Sequence, residues 1–298
     1  MKKQLGFIGL GIMGGPMALN LSKQFPVVLI YDSDSSKMHR ISQKASPSCV
    51  RQASIEEIGS TCEVVFLSLP TSEVVEAVVM DQKGLLSFLP KGSVVVDTST
   101  TEVGIVQRIA TTLTSKGIHF LDAPVSGGEK AAIEGTLSFM VGGEEAIFEA
   151  CKPYFQAMGA SVVHTGTVGM GQVAKCVNQM IVGATFAVIA ESFALGAKAG
   201  LNPKVLYEAI KGGWAGSKLL DVAVKDMFSR EFKPGGTVDI HWKDLGYSLS
   251  LAKGTDVPTP VTALVHEIFK AARAAGDGKR SQPAIVRLWE RLLGIEVK

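Results

Sequence analysis

A lysine followed one helical turn later by an asparagine is this sequence's clearest offer of acid–base chemistry. Lys175 lies in Gly169-Met170-Gly171-Gln172-Val173-Ala174-Lys175-Cys176-Val177-Asn178, near the start of an apolar stretch that reads as one helix over 172–199. On a helix, Lys175, Asn178 and Gln179 share a face. An ammonium group there can stabilise negative charge building on a carbonyl oxygen and hand that oxygen a proton. Partial burial and neighbouring charge would tune its pKa. The residues alone leave open a blander reading, a lysine that snorkels along a domain surface.

Two other groups of residues bear on chemistry. Asp122-Ala123-Pro124-Val125-Ser126-Gly127-Gly128 follows an expected strand. Its small residues expose backbone N–H groups and Ser126 adds a hydroxyl, a suitable cradle for a carboxylate, although such a segment taken alone is more often a plain turn. Gly9-Leu10-Gly11-Ile12-Met13-Gly14 is a G-x-G-x-x-G between an expected strand and an expected helix. Gly9 permits the tight turn, Gly11 lets backbone approach a pyrophosphate, and Gly14 lets helix pack close against sheet. Ile12 and Met13 sit where the helix presents unpaired N–H groups to phosphate. Asp32 ends the second expected strand, where a carboxylate binds the adenine-ribose hydroxyls and repels a 2′-phosphate. The expected cofactor is NAD, with NADP left open by Lys37 and Arg40 downstream. Leu69-Pro70 and Ser99-Thr100 follow further strands, and open α/β sheets hold ligands at such ends. Cofactor contact and helix capping are both open for these positions.

These residues need a scaffold. Apolar strand-like runs at 4–8, 27–31, 63–69, 93–97, 118–121, 137–141 and 161–164 alternate with helical stretches at 12–23, 72–80, 102–115 and 144–158. That alternation implies a doubly wound sheet. After about Thr165 helical periodicity takes over, with expected helices at 203–211, 218–228, 239–253, 260–275 and 284–293. The expected fold is an α/β Rossmann domain over 1–165 followed by an all-α C-terminal domain over 166–298. A long interdomain helix, roughly 40 Å from end to end, joins them.

Composition narrows the class. Of 298 residues 46% are hydrophobic and 19% charged, which is too apolar for a disordered chain. The 30 basic residues nearly balance the 28 acidic ones. Basic pairs such as Lys2-Lys3 and Lys279-Arg280 form no stripe, so neither nucleic acid nor a membrane is an expected partner. The apolar run at the N-terminus is broken by glycines and Pro16 and followed by no cleavage pattern, unlike a secretory signal. The long helix carries Lys175, Asn178, Gln179 and Glu191, polar groups that are costly in lipid. Cys49, Cys62, Cys151 and Cys176 are scattered, as suits a reducing cytoplasm. No histidine spacing nominates a metal.

In their order along the chain, four blocks resemble the β-hydroxyacid dehydrogenase family: Gly6 through Gly14, Asp122 through Gly128, Gly171 through Lys175 to Asn178, and Lys243-Asp244-Leu245. Similar stretches include Ala132-Ile133-Glu134-Gly135-Thr136-Leu137-Ser138 and Phe232-Lys233-Pro234-Gly235. The resemblance implies that Lys175 is catalytic, that Ser126, Gly127 and Gly128 form the loop that binds the substrate's carboxylate, and that Asn178 holds the substrate. It places Lys243 near the nicotinamide, with Asp244 in support. It implies a homodimer or homotetramer assembled through the helical part. The implied activity is reversible reduction of a short semialdehyde acid by NADH, tartronate semialdehyde giving D-glycerate first among them. Alternatives are 3-hydroxyisobutyrate, succinic semialdehyde and glyoxylate chemistry, or a non-catalytic nucleotide-binding module for assembly. Two positions depart from the family pattern: Gly236 stands where an aromatic residue is usual, and Trp214 where a smaller one is.

Overall fold

The structure, a computed structural model, describes residues 4–46 and 49–298. The Lys2-Lys3 pair falls outside the described residues. The chain divides into two compact units, Met1–Lys175 and Cys176–Lys298.

In the first unit the elements run Leu5–Ile8 (β1), Gly14–Gln24 (α1), Val28–Tyr31 (β2), Ser35–Lys44 (α2), Val50–Gln52 (β3), Ile55–Thr61 (α3), Val64–Leu67 (β4), Ser72–Met80 (α4), Val94–Asp97 (β5), Val103–Ser115 (α5), His119–Asp122 (β6), Val125–Ser126 (β7), Gly128–Glu134 (α6), Leu137–Gly142 (β8), Glu145–Met158 (α7) and Gly159–Gly166 (β9). The sheet order is β3-β2-β1-β4-β5-β6-β8-β7, with β9 beside β8. From β3 to β6 all pairs are parallel. The chain leaves β1 towards β2 and β3, then returns to build β4 on the other side of β1. That reversal creates the crevice where open α/β sheets bind ligands.

The strands are apolar throughout because both faces of the sheet are covered. Leu5, Phe7, Val64 and Phe66 enter a core shared with Met17 and Leu21 of α1 and Phe155 of α7. Their alternating neighbours Ile8, Val65, Leu67 and Val95 enter a second core with Val75 of α4 and Val106 and Ile109 of α5. Beyond β6 the sheet changes direction: β8 runs antiparallel to β6 and β7, and parallel to β9.

Helix Met170–Lys198 (α8) has 29 residues. It begins in the first unit and continues into the second, where Pro203–Ile210 (α9), Lys218–Ser229 (α10), Val238–Gly254 (α11), Pro260–Ala272 (α12) and Val286–Leu293 (α13) follow. By length and composition α8 is apolar enough to cross a membrane. Its Phe186, Ala190 and Phe193 lie instead in the core of the second unit with Leu220, Leu245 and Phe269. Asn202 caps α9 by accepting the Lys204 N–H, with Pro203 in the first turn, a pairing that suits an amide-free first position. The helix expected over 260–275 ends at Ala272; a five-residue π turn, Arg273–Asp277, follows, with Gly276 at φ +86°.

Candidate active site

At the crevice the three motif glycines meet three different surroundings. Gly9 has φ +94°, and a Cβ there would strike the Ser68 carbonyl oxygen behind β4. A Cβ on Gly14 would strike the Gly9 carbonyl oxygen. On Gly11 it would meet nothing within 4 Å; Gly11 and Ile12 face a cavity of about 670 Å³ that Arg40 and Lys44 also line. Among the described residues no side chain caps α1, whose N-cap position is Met13, and no acidic residue occupies its first turn. Crowding on two sides and an opening on the third leave room beside the N–H groups of a helix start, as a pyrophosphate requires.

Asp32 lies beside this turn and is buried. Its Oδ2 accepts the Leu10 N–H at 2.7 Å and its Oδ1 the Asp34 N–H at 2.9 Å. The Lys37 ammonium is 3.3 Å from Oδ1. The carboxylate therefore braces the glycine turn and carries a cation at its side.

The other strand ends are tied to one another. Ser99 Oγ accepts the Leu69 N–H at 2.8 Å, so this hydroxyl bridges the ends of β4 and β5. Capping of α4 falls to Thr71, which accepts the Val74 N–H. Asp97 Oδ1 accepts the Ser99 N–H at 2.9 Å and Oδ2 the Thr101 hydroxyl at 2.6 Å. Gln172, fully buried, reaches this loop from α8: its Nε2 donates to the Ser99 carbonyl at 2.9 Å and its Oε1 accepts the Thr101 N–H at 3.1 Å.

Asp122 ends β6 and is fully buried. It accepts the Gly169 N–H at 2.7 Å on Oδ1 and the Gln172 N–H at 2.8 Å on Oδ2. Burial pushes its carboxyl up to about 7; the Gly169 and Gln172 N–H groups pull the other way, and nearby Asp97 adds to the rise. A Cβ on Gly142 would lie 2.5 Å from one carboxylate oxygen and on Gly171 2.8 Å from the other, so both glycines make room for it.

Lys175 is 7% exposed, and its ammonium donates to the Val125 carbonyl at 2.9 Å. The amine therefore touches the peptide that joins Val125 to Ser126. Beyond Ser126 the backbone turns through Gly127 at φ +130° and Gly128 at φ +71°. A Cβ on Gly127 would crowd Ala131 at 2.7 Å, whereas Gly128 opens onto free space.

In the second unit, Asn178 Nδ2 donates to Gln179 Oε1 at 2.9 Å, and Gln179 Nε2 donates to Asp244 Oδ2 at 2.7 Å. Asp244 Oδ1 lies 3.2 Å from the Lys243 ammonium, which also sits 4.8 Å above the Tyr247 ring. The chain of contacts therefore links the expected residues Asn178, Lys243 and Asp244. Behind it, fully buried His241 takes the Gln282 amide on Nδ1 at 2.9 Å and donates from Nε2 to the Gln179 carbonyl at 3.1 Å. Gly236 packs against the same Gln282, 3.0 Å from the position a Cβ would take. Trp214 is fully exposed.

Sequence reading missed the roles of Asp97, Thr101, Gln172 and His241 as struts. A signal existed for one of them: Asp97, like Asp122, ends an apolar strand, where a lone carboxylate needs donors. Among the described residues no group of three or more His, Cys, Asp or Glu side chains could hold a metal ion.

A parallel sheet with an open glycine turn at its reversal point, followed by a helical domain, defines a class: two-domain oxidoreductases that use a nicotinamide dinucleotide. Residues 4–166 match the family described as the NAD binding domain of 6-phosphogluconate dehydrogenase. Residues 169–289 match the NAD-binding family of NADP-dependent 3-hydroxyisobutyrate dehydrogenase. The chain is 35% identical over 295 residues to 2-(hydroxymethyl)glutarate dehydrogenase of Eubacterium barkeri, spanning 99% of this chain and 97% of that one. To 2-hydroxy-3-oxopropionate reductase of Escherichia coli it is 36% identical over 290 residues, 96% of this chain and 97% of the relative. The crystal structure of a 3-hydroxyisobutyrate dehydrogenase from Salmonella typhimurium superposes with a TM-score of 0.87 at 28% identity, covering 96% of this chain and 99% of the other. The protein belongs to the β-hydroxyacid dehydrogenase family and is an NAD(P)-dependent oxidoreductase.

Proposed function

We propose that this enzyme reversibly reduces tartronate semialdehyde to D-glycerate with NADH, and that Lys175 supplies the proton. The observation that carries the reading is the buried Lys175 ammonium on the Val125 carbonyl, next to a loop whose glycine N–H groups suit a carboxylate. The similarity to 2-hydroxy-3-oxopropionate reductase over almost the whole chain supports the choice of substrate.

The residues divide the work. Gly9, Gly11, Ile12, Met13 and Gly14 would hold the cofactor's pyrophosphate on backbone N–H groups, Asp32 would take the adenine ribose, and Leu69, Pro70, Ser99 and Thr100 would contribute further cofactor contacts. By the family resemblance Lys243, steadied by Asp244, would serve the nicotinamide end. When bound, the nicotinamide supplies a hydride to the carbonyl carbon. Ser126, Gly127 and Gly128 bind the substrate carboxylate, and Asn178 helps hold the substrate. Lys175 donates a proton to the carbonyl oxygen as charge builds there, and in the oxidative direction the neutral amine takes the hydroxyl proton. Asp32 opposes a 2′-phosphate while Lys37 offsets part of its charge, so NADH is preferred over NADPH by a finite ratio of kcat/KM.

The enzyme works in the cytoplasm as a homodimer or homotetramer joined through its helical part. Supporting this are four free cysteines and the exposed apolar residues Ile181, Val188 and Leu195, which recur at heptad spacing along α8.

A Lys175→Ala variant tests the chemistry. Steady-state assays are expected to lose about 10²–10⁴ in kcat/KM, the worth of a general acid, while NADH titration by fluorescence stays within about twofold. A near-normal rate would remove Lys175 from the mechanism. The substrate is tested by a panel of tartronate semialdehyde, succinic semialdehyde, glyoxylate, 3-hydroxyisobutyrate and 2-(hydroxymethyl)glutarate. One methylene is worth only about 10–200-fold in kcat/KM, and any substrate ahead of tartronate semialdehyde by that margin displaces it.

A further inference from the structure

Asp122 stands out as a fully buried carboxylate with no place in the proton or hydride chemistry. A helix start can be capped by a serine or aspartate of its own at the surface, where no charge is buried. The head of α8 is held differently. Its Gly169 and Gln172 N–H groups are taken by a carboxylate that arrives from the end of β6. Gly142 and Gly171 leave the space this carboxylate occupies. The loop leaving Asp122 runs through Val125, whose carbonyl receives the Lys175 ammonium. One side chain thus joins the base of the Ser126-Gly127-Gly128 loop to the helical turn that leads to the lysine. Gln172 adds a second tie, from that same turn to Ser99 and Thr101.

We propose that Asp122 is a positioning residue for the reduction, fixing where the Lys175 amine sits relative to the Ser126-Gly127-Gly128 loop, with Gln172 as its partner. The proposal rests on the reading of Lys175 as proton donor. A carboxylate is required because both of its oxygens must accept. An asparagine would present an N–H to one of the two helix N–H groups, and the turn would move. A displacement of about 1 Å at a site of this kind costs about 10²-fold in rate, whereas the glycine turn and Asp32 lie on other strand ends and are untouched.

The test is a double-mutant cycle on the full-length enzyme: wild type, Asp122→Asn, Lys175→Ala and the double variant. Single-turnover oxidation is followed with saturating NAD and either D-glycerate or 3-hydroxyisobutyrate, whichever the wild type oxidises faster. Asp122→Asn is expected to lower the rate about 10–100-fold, leave NADH binding within about twofold, and change nothing further in the Lys175→Ala background. A near-normal rate for Asp122→Asn overturns the proposal. So does a double variant slower than Lys175→Ala by the full factor seen for Asp122→Asn alone, since a general loosening of the fold would act with or without the lysine. If Asp122→Asn fails to fold, Gln172→Ala takes its place in the cycle under the same criteria. A normal rate for Lys175→Ala alone is a separate result: it sinks the lysine assignment itself, and the positioning role with it.

Discussion

Gly9, Gly11 and Gly14 carry one motif but answer to different forces. Gly9 and Gly14 are glycine because neighbouring carbonyl oxygens occupy the place of a Cβ, while Gly11 is bounded by open space. Gly14→Ala is therefore expected to cost about 1–3 kcal/mol of stability, as overpacking does, and to lower Tm in a thermal melt. Gly11→Ala should melt like the parent and lose NADH affinity, because its methyl group would occupy ligand space. If the two variants behave alike in both measurements, the distinction is wrong. Asp122 adds a pH dependence with a definite sign. Its carboxyl is raised from 3.8 to about 7, so between those values the folded protein binds more protons than the unfolded one. The stabilisation is complete below the lower value and is lost as pH rises through the upper one. Relative to Asp122→Asn, the wild type is expected to gain Tm as pH falls from about 8 to about 5. A difference in Tm that does not vary with pH would refute this.

Among the elements, those built on apolar runs were legible: β1, β2, β4, β5 and α4, α5, α7, α8 lie where strand and helix patterns indicated. The elements that escaped reading are polar. Helix α2 buries only Ile41, α6 only Ala132, and β3 only Val50, so no periodic apolar signal marks them. Helix α3 did carry a legible start: Ser54 accepts the Glu57 N–H, the serine half of a capping box. Where α8 crosses α11, a glycine reports a close approach that composition conceals. A Cβ on Gly183 would lie 2.5 Å from His241 Nε2, the atom that donates to the Gln179 carbonyl. Gly183→Ala is expected to destabilise by about 1–3 kcal/mol, and His241→Ala in the same chain should relieve the clash. The two substitutions are therefore non-additive in thermal melts. Additive losses would show that the ring is not the obstacle.

At the scale of the whole molecule, family and reaction class follow from matches that run through both units. The proposed assembly is tested at this scale too. Ile181→Glu combined with Val188→Glu places charge on the exposed stripe of α8, and sedimentation is expected to show a smaller species than the wild type; an unchanged sedimentation coefficient would exclude that stripe as the contact. Of the proposed site, the glycine turn, Asp32 and the shared face of Lys175 and Asn178 could be nominated from order and spacing, because each belongs to one strand, one turn or one helix. Local geometry is the same wherever such a segment occurs, so residue type and period suffice to recognise it. The pairing of Asp122 with Gly169 and Gln172, of Gln172 with Ser99, and of His241 with Gln179 and Gln282 belongs to the fold. Those partners are far apart along the chain, at intervals that no periodicity predicts. Packing alone brings them together, since a buried polar group must find a donor or acceptor wherever the fold has put one.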